Sequence, residues 1–333
     1  MKPAKPTVAL ITPALADANN GNWQTAARWA RMLSRDYRVR LLPHWDAEPA
    51  DVLLALHARR SADSVAEFAQ RCPDQPIVLA LTGTDLYRDL SVDAHAQRSL
   101  KLASRLIVLH EGAVADLPPA ARRKAVVCFQ SCAARRRVAK PRERLRAVMV
   151  GHLRDEKDPR TYFAAARLLQ ARMDIRLLHI GRSLDPELGQ EAADLSLDDQ
   201  AYGWLGEQSH DETVEHIRQA HVLVHTSRME GGAHVVMEAI RCGTPVLASR
   251  IPGNVGMLGA DYAGYFPLGD AQALADLLKR AKDDAALLPQ LIKQCAARAP
   301  LFEPQRERAT LLDILSNALS TQKGPRERPR HPS

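Results

Sequence analysis

Short apolar runs alternate with amphipathic helical patterns along almost the whole 333-residue chain. This alternation is typical of βαβ units, in which parallel strands are covered by helices. In the first half, the apolar runs predict strands and the segments between them predict helices. We expect strands near 7–12, 37–42, 51–56, 76–81, 105–109 and 124–129, and helices near 23–35, 61–71, 93–103 and 111–117.

The alternation starts again after a basic segment, which indicates a second domain of the same class. Strands are predicted near 147–151, 175–180, 201–204, 221–225 and 245–249, with helices between them at 159–172, 185–195, 209–219 and 233–241. Helices near 270–282, 285–298 and 304–319 close the fold. We therefore predict an α/β protein of two doubly wound, Rossmann-like domains that face each other across a cleft. The expected parts are an N-terminal domain over 1–134, a linker over 135–146, a C-terminal domain over 147–302, a helix over 303–320 that returns to the first domain, and a disordered tail over 321–333.

The net charge of +7 does not favour a nucleic-acid surface, because the excess positive charge is concentrated in two segments. The linker 135–146 holds seven basic residues and one acidic residue, and the segment 323–333 holds four and one. Neither segment has aromatic residues for base stacking. A solvated linker and a solvated tail explain the charge, and we predict no nucleic-acid partner.

The cysteines and the apolar runs argue against a disulfide-linked, zinc-binding, secreted or membrane-spanning protein. The five cysteines form no CxxC pair and no ligand spacing with histidine, which favours reduced thiols in the cytoplasm over disulfides or a zinc site. The run 8–11 is broken by Thr12 and Pro13 and fits a first strand better than a signal peptide. No apolar run approaches the length of a membrane span, so we expect a cytoplasmic protein without membrane insertion. The oligomeric state is left open.

The most informative motif is RMEGGAHVVMEAIRCGTPV at 228–246, in which Glu230 and Glu238 stand eight positions apart. Eight helical residues span about 12 Å, roughly the length of a sugar diphosphate. Glycines permit close approach of the backbone to a ligand, and a helix amino terminus attracts phosphate. An amphipathic helix with two solvated glutamates would share the spacing, but it explains neither the glycines nor the GTPV segment. The predicted donor-binding residues here are Glu230, Gly231, Gly232, Ala233, His234 and Glu238.

A second loop, GHLRDEKDPRT at 151–161, follows the first strand of the second domain. It offers His152, Arg154 and Lys157 to the same ligand. Cations in this position would stabilise a leaving diphosphate without a metal. Since no DxD motif or carboxylate cluster accompanies them, we expect no metal and no cofactor. His225 and His179 lie in or next to strands, where packed histidines are more common than catalytic ones.

Polar loops also follow strands of the first domain. Gly21 and Asn22 open a helix and are predicted to bind the donor, although a simple turn explains them almost as well. The loops LHARRSADS and LTGTDLYRD combine hydroxyl, guanidinium and carboxylate groups that suit a small anion. Exposed helix starts and a capped turn are the simpler readings. The predicted acceptor-binding residues are His57, Arg59, Thr82, Gly83, Thr84, Asp85 and Arg88.

The second domain, with VGHLRDEK, IRLLHIG, EGGAHVVMEA and GTPVLAS, resembles the donor-binding half of family 4 glycosyltransferases of the GT-B architecture. The resemblance implies that Glu230 binds the sugar, Glu238 the ribose and Lys157 the diphosphate of a UDP-sugar. It makes Lys157, Arg154 and Glu230 the catalytic residues. The chain departs from the family pattern at Gly232 and Ala233, where Phe-Gly is usual, at His152, where Arg is usual, and at Thr82, where a His is common.

A narrower resemblance covers 7–320. ALHARRSADS, ALTGTDLYRDL and VGHLRDEKDPRT are similar to segments of the selenosugar synthases of selenoneine biosynthesis. That resemblance implies transfer of the sugar of UDP-N-acetylglucosamine or UDP-glucose to the selenium of selenophosphate. Three alternatives stay open: a family 4 transferase with a carbohydrate or lipid hydroxyl acceptor, an epimerase acting on its UDP-sugar alone, and an inactive sugar-nucleotide-binding protein.

Overall fold

The computed structural model describes residues 4–13 and 21–321. It divides the chain into two units. The first contains residues up to Phe129 and the C-terminal segment from Gln305, and the second spans Gln130–Pro304. The predicted tail 321–333 lies outside the described residues except for its first position.

Within the described residues, the first unit contains a parallel sheet of six strands. The strands are β1 (Thr7–Ile11), β2 (Arg38–Leu42), β3 (Val52–Leu56), β4 (Ile77–Ala80), β5 (Arg105–Val108) and β6 (Ala125–Val127). Their order across the sheet is β2-β1-β3-β4-β5-β6. The carboxyl ends of all these strands lie at one edge, where their loops can assemble a binding site.

Both faces of this sheet are buried, as expected for parallel strands whose sequences are almost continuously apolar. In β3, Leu53 and Ala55 pack into one apolar cluster, and Val52, Leu54 and Leu56 pack into the other. The helices that cover the faces are α1 (Gly21–Leu33), α2 (Ala62–Arg71), α3 (Leu90–Val92), α4 (Ala94–Leu102), α5 (Ala113–Asp116) and α6 (Pro119–Arg122). A π-helical turn, Asp85–Asp89, precedes α3.

The last helix, α14 (Pro304–Thr321), completes the first unit. Its residues Leu311, Ile314, Leu315 and Ala318 are buried with Trp29 of α1. Glu307 is also buried, and its carboxylate accepts hydrogen bonds from Arg28 and from the indole nitrogen of Trp29. A chain segment far from α1 in sequence therefore forms part of the first core.

The second unit contains a parallel sheet of six strands among its described residues. They are β7 (Leu145–Val150), β8 (Ile175–Ile180), β9 (Tyr202–Trp204), β10 (Val222–His225), β11 (Val246–Ser249) and β12 (Tyr265–Phe266). Their order across the sheet is β12-β11-β10-β7-β8-β9. The chain adds β8 and β9 on one side of β7 and then β10, β11 and β12 on the other, so the strand order reverses between β7 and β10. In doubly wound sheets, ligands bind beyond the carboxyl ends of the strands at such a reversal.

The helices of the second unit follow its strands in turn. They are α7 (Pro159–Leu168), α8 (Pro186–Asp198), α9 (His210–Gln219), α10 (His234–Cys242), α11 (Pro252–Leu258), α12 (Ala271–Asp283) and α13 (Leu287–Arg298). Local sequence fixes several starts: Asp185 caps α8, Ser209 and Glu212 form a capping box at α9, and Asp270 caps α12. The prediction of two doubly wound α/β domains is confirmed.

Some predicted boundaries are wrong. The helix expected over 111–117 is the shorter α5, and α6, which begins after Pro118, has no counterpart among the predicted helices. The helix expected over 159–172 ends at Leu168. Helix α11 and the two-residue strand β12 have no counterpart among the predicted elements. Among the described residues, no helix is both long and apolar enough to cross a membrane.

The basic linker 135–146 is exposed along most of its length, but hydrogen bonds tie it to the second unit. The Lys140 ammonium donates to the Thr244 hydroxyl at 3.1 Å. Arg218 of α9 donates to the carbonyl of Arg136 at 3.3 Å, and Lys282 of α12 donates to the carbonyl of Arg142 at 2.8 Å. The segment is therefore an attached strap and not a free linker.

Candidate functional site

The loops that follow β7 and β10 meet at the reversal point of the second sheet. The Lys157 carbonyl accepts a hydrogen bond from the Thr226 hydroxyl at 2.7 Å, and the Glu156 carbonyl accepts one from the Arg228 amide at 2.9 Å. These bonds place the two predicted motifs, 151–161 and 228–246, beside each other. The predicted ligands Lys157 and Glu230 lie at their junction.

Lys157 and Glu230 form an ion pair of 2.5 Å between Nζ and Oε1. Their side chains are only 19% and 13% exposed, so the pair is poorly screened by solvent. Burial alone would raise the pKa of Glu230, but the nearby Lys157 and His225 outweigh it and lower the pKa overall. The carboxylate is therefore ionised at neutral pH and able to accept hydrogen bonds from hydroxyl groups.

Three residues that the sequence analysis does not assign support this pair. His225, the last residue of β10, places its Nε2 atom 3.5 Å from Glu230 Oε1. The Ser227 hydroxyl lies 3.3 Å from the Nδ1 atom of that histidine. The Arg228 guanidinium lies 3.1 Å from Asp158, which has a left-handed backbone and precedes α7. The histidine is buried, as predicted, but it faces the site.

Glu238 lies on α10, eight positions after Glu230 in the sequence. Its carboxylate accepts a hydrogen bond of 2.8 Å from His210 Nε2, on the first turn of α9. This hydrogen bond raises the pKa of His210, with the Glu238 charge as a further cause. Glu238 is thus held by a neighbouring helix, and His210 is a contact that the spacing of the motif does not reveal.

Helix α11 packs directly against the Glu230 loop. A side chain at Gly253 would collide with the carbonyl oxygen of Glu230. Close backbone contact between α11 and this loop therefore requires glycine at this position. The sulfur of Met257, also on α11, lies 3.2 Å from the Ala233 amide at the start of α10.

The other predicted donor-binding residues lie in both units. His152 Nδ1 accepts a hydrogen bond from the Arg182 amide, and burial, with the nearby Arg154 next, lowers the pKa of His152. The Arg154 side chain is half exposed and points its Nε toward Glu156 at 3.9 Å. Gly21 and Asn22 begin α1 in the first unit, and the preceding residues 14–20 lie outside the described part.

In the first unit, the predicted acceptor residues after β3 and β4 come together. Asp85 is fully buried, and its carboxylate accepts backbone hydrogen bonds from Ala58, Thr82, Gly83 and Leu86. The prediction that Asp85 contacts the acceptor is therefore corrected. Its carboxylate ties the two loops together and has no surface to offer a ligand.

A second carboxylate, Asp89, anchors two of the predicted cations. Arg59 Nε lies 3.0 Å from Asp89 Oδ2, and Arg88 Nε lies 3.1 Å from Oδ1. Asp89 is almost completely buried, whereas both arginine side chains are more than two-fifths exposed. Two guanidinium groups are therefore fixed side by side on a buried anion, an arrangement suited to a phosphate-like ligand.

His57 is buried next to this arginine pair, with a backbone φ of 73°. Its Nδ1 atom accepts a hydrogen bond from the Arg60 amide at 3.3 Å, so the ring proton is on Nε2. Nε2 then donates to the Thr84 hydroxyl at 3.1 Å. Burial lowers the pKa of His57, which keeps the ring neutral.

Known proteins are similar to this chain in sequence and in fold. Residues 132–298 match the family model described as glycosyl transferases group 1. A D-inositol 3-phosphate glycosyltransferase of Acidothermus cellulolyticus is 32% identical over 206 residues, which cover 57% of this chain and 45% of that protein. A protein of the same description from Saccharomonospora viridis is 30% identical over 134 residues, covering 40% and 31%. The chain thus spans less than half of these curated relatives.

Solved structures share the fold at low sequence identity. Sucrose-phosphate synthase from Thermosynechococcus elongatus superposes with a TM-score of 0.76 at 17% identity, covering 95% of this chain and all of that one. The Anabaena protein HepE, in complex with UDP and glucose, has a TM-score of 0.74 at 15% identity, covering 93% and 99%. Since the family model spans half of the sequence and includes the whole Lys157–Glu230–Glu238 set, the chain belongs to the glycosyl transferases group 1.

Proposed function

We propose that this chain is a glycosyltransferase whose second unit binds a UDP-sugar. The observation that carries the proposal is the Lys157–Glu230 ion pair at the reversal point of the sheet, with Glu238 following on α10. Glu230 would accept hydrogen bonds from sugar hydroxyls, and Glu238 from the ribose. The likeness to a protein solved with UDP and glucose supports this choice of donor.

The departing UDP would be stabilised by protein cations without a metal. Lys157 is the only one of the predicted cations in this loop that already contacts a proposed ligand residue, Glu230. Its ammonium would move from the carboxylate to the diphosphate when the donor binds. Arg154, half exposed in the same loop, would supply a second positive charge. Electrostatic stabilisation of this kind is often the largest contribution to catalysis.

For the acceptor we propose selenophosphate, bound in the first unit by Arg59 and Arg88. In the transfer, a selenium–carbon bond forms at the anomeric carbon while the bond from that carbon to the diphosphate oxygen breaks, and UDP takes the electron pair. Selenophosphate is already ionised at neutral pH, so attack needs no general base. The tautomer of His57 fits this chemistry, because Nδ1 accepts from Arg60 and Nε2 already carries a proton.

A phosphorylated hydroxyl compound is the second candidate acceptor. It is favoured by two relatives described as D-inositol 3-phosphate glycosyltransferases. Its phosphate would suit the same arginine pair. Its hydroxyl, however, must lose a proton during attack, and the Nδ1 atom of His57 already accepts from the Arg60 amide.

The deciding experiment mixes the protein with UDP-N-acetylglucosamine or UDP-glucose and one acceptor at a time: selenophosphate, D-inositol 3-phosphate or inorganic phosphate. Mass spectrometry is expected to show a selenium-containing sugar and stoichiometric UDP only with selenophosphate. A sugar conjugate of inositol phosphate without a selenosugar would replace the proposal by the second candidate. A rearranged UDP-sugar without acceptor would indicate an epimerase, and UDP binding without any turnover would indicate an inactive binding protein.

A further inference from the structure

His225 carries a ring nitrogen that is buried in the proposed donor site without a hydrogen-bond partner among the described residues. Its side chain is 2% exposed, and the unpartnered Nε2 atom faces Glu230 Oε1 at 3.5 Å. Buried polar atoms almost always have partners, so an exception beside a ligand-binding carboxylate requires an explanation.

The other ring nitrogen of His225 already has a partner within the protein. Its Nδ1 atom lies 3.3 Å from the Ser227 hydroxyl, which can donate to it or accept from it. The ring nitrogen that is left for a ligand is therefore Nε2.

The His225 ring is uncharged at neutral pH, because burial is the main cause that lowers its pKa to about 4. The separation of 3.5 Å between Nε2 and Glu230 Oε1 is too long for a good hydrogen bond between the two side chains. A ligand group placed beside Glu230 can therefore also reach Nε2.

A sugar hydroxyl suits this position, because a hydroxyl can donate to Nε2 or accept from it in either tautomer of the ring. Nε2 and Oε1 are 3.5 Å apart, a spacing that suits hydroxyls on neighbouring carbons of a sugar ring. We propose that His225 Nε2 hydrogen-bonds a hydroxyl of the donor sugar, next to one bound by Glu230, and so helps to select the sugar. This inference rests on the proposed UDP-sugar donor.

Calorimetric titration with UDP and with UDP-glucose tests the inference, because only the second ligand carries the sugar. His225→Phe keeps a ring of similar size but removes both ring nitrogens. We expect it to weaken UDP-glucose about threefold to tenfold, the worth of one hydrogen bond, and to leave UDP unchanged. His225→Asn, whose amide can donate or accept, should recover part of the loss. His44→Phe, at an exposed position in the first unit, is the matched control and should change neither affinity.

A ligand-side measurement keeps the test independent of how well one variant folds. UDP-sugars that each lack one ring hydroxyl are titrated into the wild type and into whichever His225 variant melts cooperatively. One analogue should lose affinity for the wild type but not for the variant. The inference is overturned if every analogue loses equally in both proteins, or if His225→Phe weakens UDP as much as UDP-glucose. Failure of the wild type to bind UDP at all would instead overturn the proposed function, and this inference with it.

Discussion

At the scale of single residues, the ammonium of Lys157 is the group on which the proposed chemistry depends most. Its partner Glu230 is a proposed sugar ligand, so the lysine is already in the site before any diphosphate is bound. Lys157→Ala should lower kcat on the order of a hundredfold, if a donor to the leaving group contributes about 3 kcal/mol to the transition state. Steady-state UDP release with the best acceptor measures it.

Lys279→Ala is the matched control for that variant, because Lys279 is a surface lysine of α12 that pairs with Asp276 at 3.2 Å. Its kcat should equal that of the wild type. A Lys157→Ala enzyme with a near-normal kcat would remove Lys157 from the mechanism. A variant that loses UDP-glucose binding at unchanged kcat would restrict the lysine to a binding role.

His210 gives a pH dependence whose direction can be worked out. Its hydrogen bond to Glu238 raises its pKa in the folded protein, so the pair stabilises the fold fully below the unfolded pKa. This stability is lost as pH rises through the folded pKa. His210 is 63% exposed, so the pair is worth about 0.2–1 kcal/mol at most. Urea unfolding should therefore separate His210→Ala from the wild type at about pH 5 and not at about pH 9. An equal difference at both values would contradict the ion-pair explanation.

Motif spacing could predict which residues enter the site, but not which other side chains fix the positions of those residues. Glu230, Glu238 and Lys157 were accessible from the sequence because glycines and strand ends surround them. Asp89 is not distinguished from other acidic residues near a turn, and its burial depends on how the π-helical turn packs. Asp85 shows the opposite failure: a carboxylate near a candidate site is fully used by backbone amides.

At the scale of secondary structure, the sequence pattern located most strands and helices. The strands are recognisable because a parallel sheet is buried on both faces, so its strands are apolar runs of four or more residues. Strand β12 has two residues, too few for a pattern. Helix α11, in the segment PGNVGML, contains two glycines and so has a weak helical signal. Its Pro252 at the first helical turn was the available start signal.

Gly253 weakens the helical signal of α11 in the sequence, and it also lets α11 pack against the Glu230 loop. Gly253→Ala should force α11 away from the Glu230 carbonyl and destabilise the second unit by about 1–3 kcal/mol, the usual cost of overpacking. UDP-glucose binding should weaken as the Glu230 loop shifts. Thermal unfolding and calorimetry measure the two effects.

Gly112→Ala provides the contrast, since Gly112 has helical dihedral angles and a side chain there meets only ordinary contacts with His110. That change should be neutral or stabilise the fold slightly. If Gly253→Ala were equally harmless, the close packing between α11 and the Glu230 loop would not be required.

At the scale of the whole molecule, the chain leaves the first unit after Phe129 and returns to it at Gln305. The returning helix α14 is held by Glu307, whose buried carboxylate accepts hydrogen bonds from Arg28 and Trp29 of α1. Glu307→Gln removes the charge that compensates Arg28 and should destabilise the first unit on the order of 3 kcal/mol. The second unit should keep its stability and its UDP affinity, because the proposed donor residues around Glu230 lie within Gln130–Pro304.

Differential scanning calorimetry with and without UDP separates these outcomes. UDP should raise the transition of the second unit by mass action in the wild type and in Glu307→Gln alike, while the transition of the first unit falls only in the variant. Glu67→Gln, at an exposed i,i+4 pair with Arg71, should change the free energy of unfolding of neither unit by more than about 0.5 kcal/mol. Loss of UDP protection in Glu307→Gln would mean that donor binding depends on the first unit, and the assignment of the donor site to the second unit alone would then be wrong.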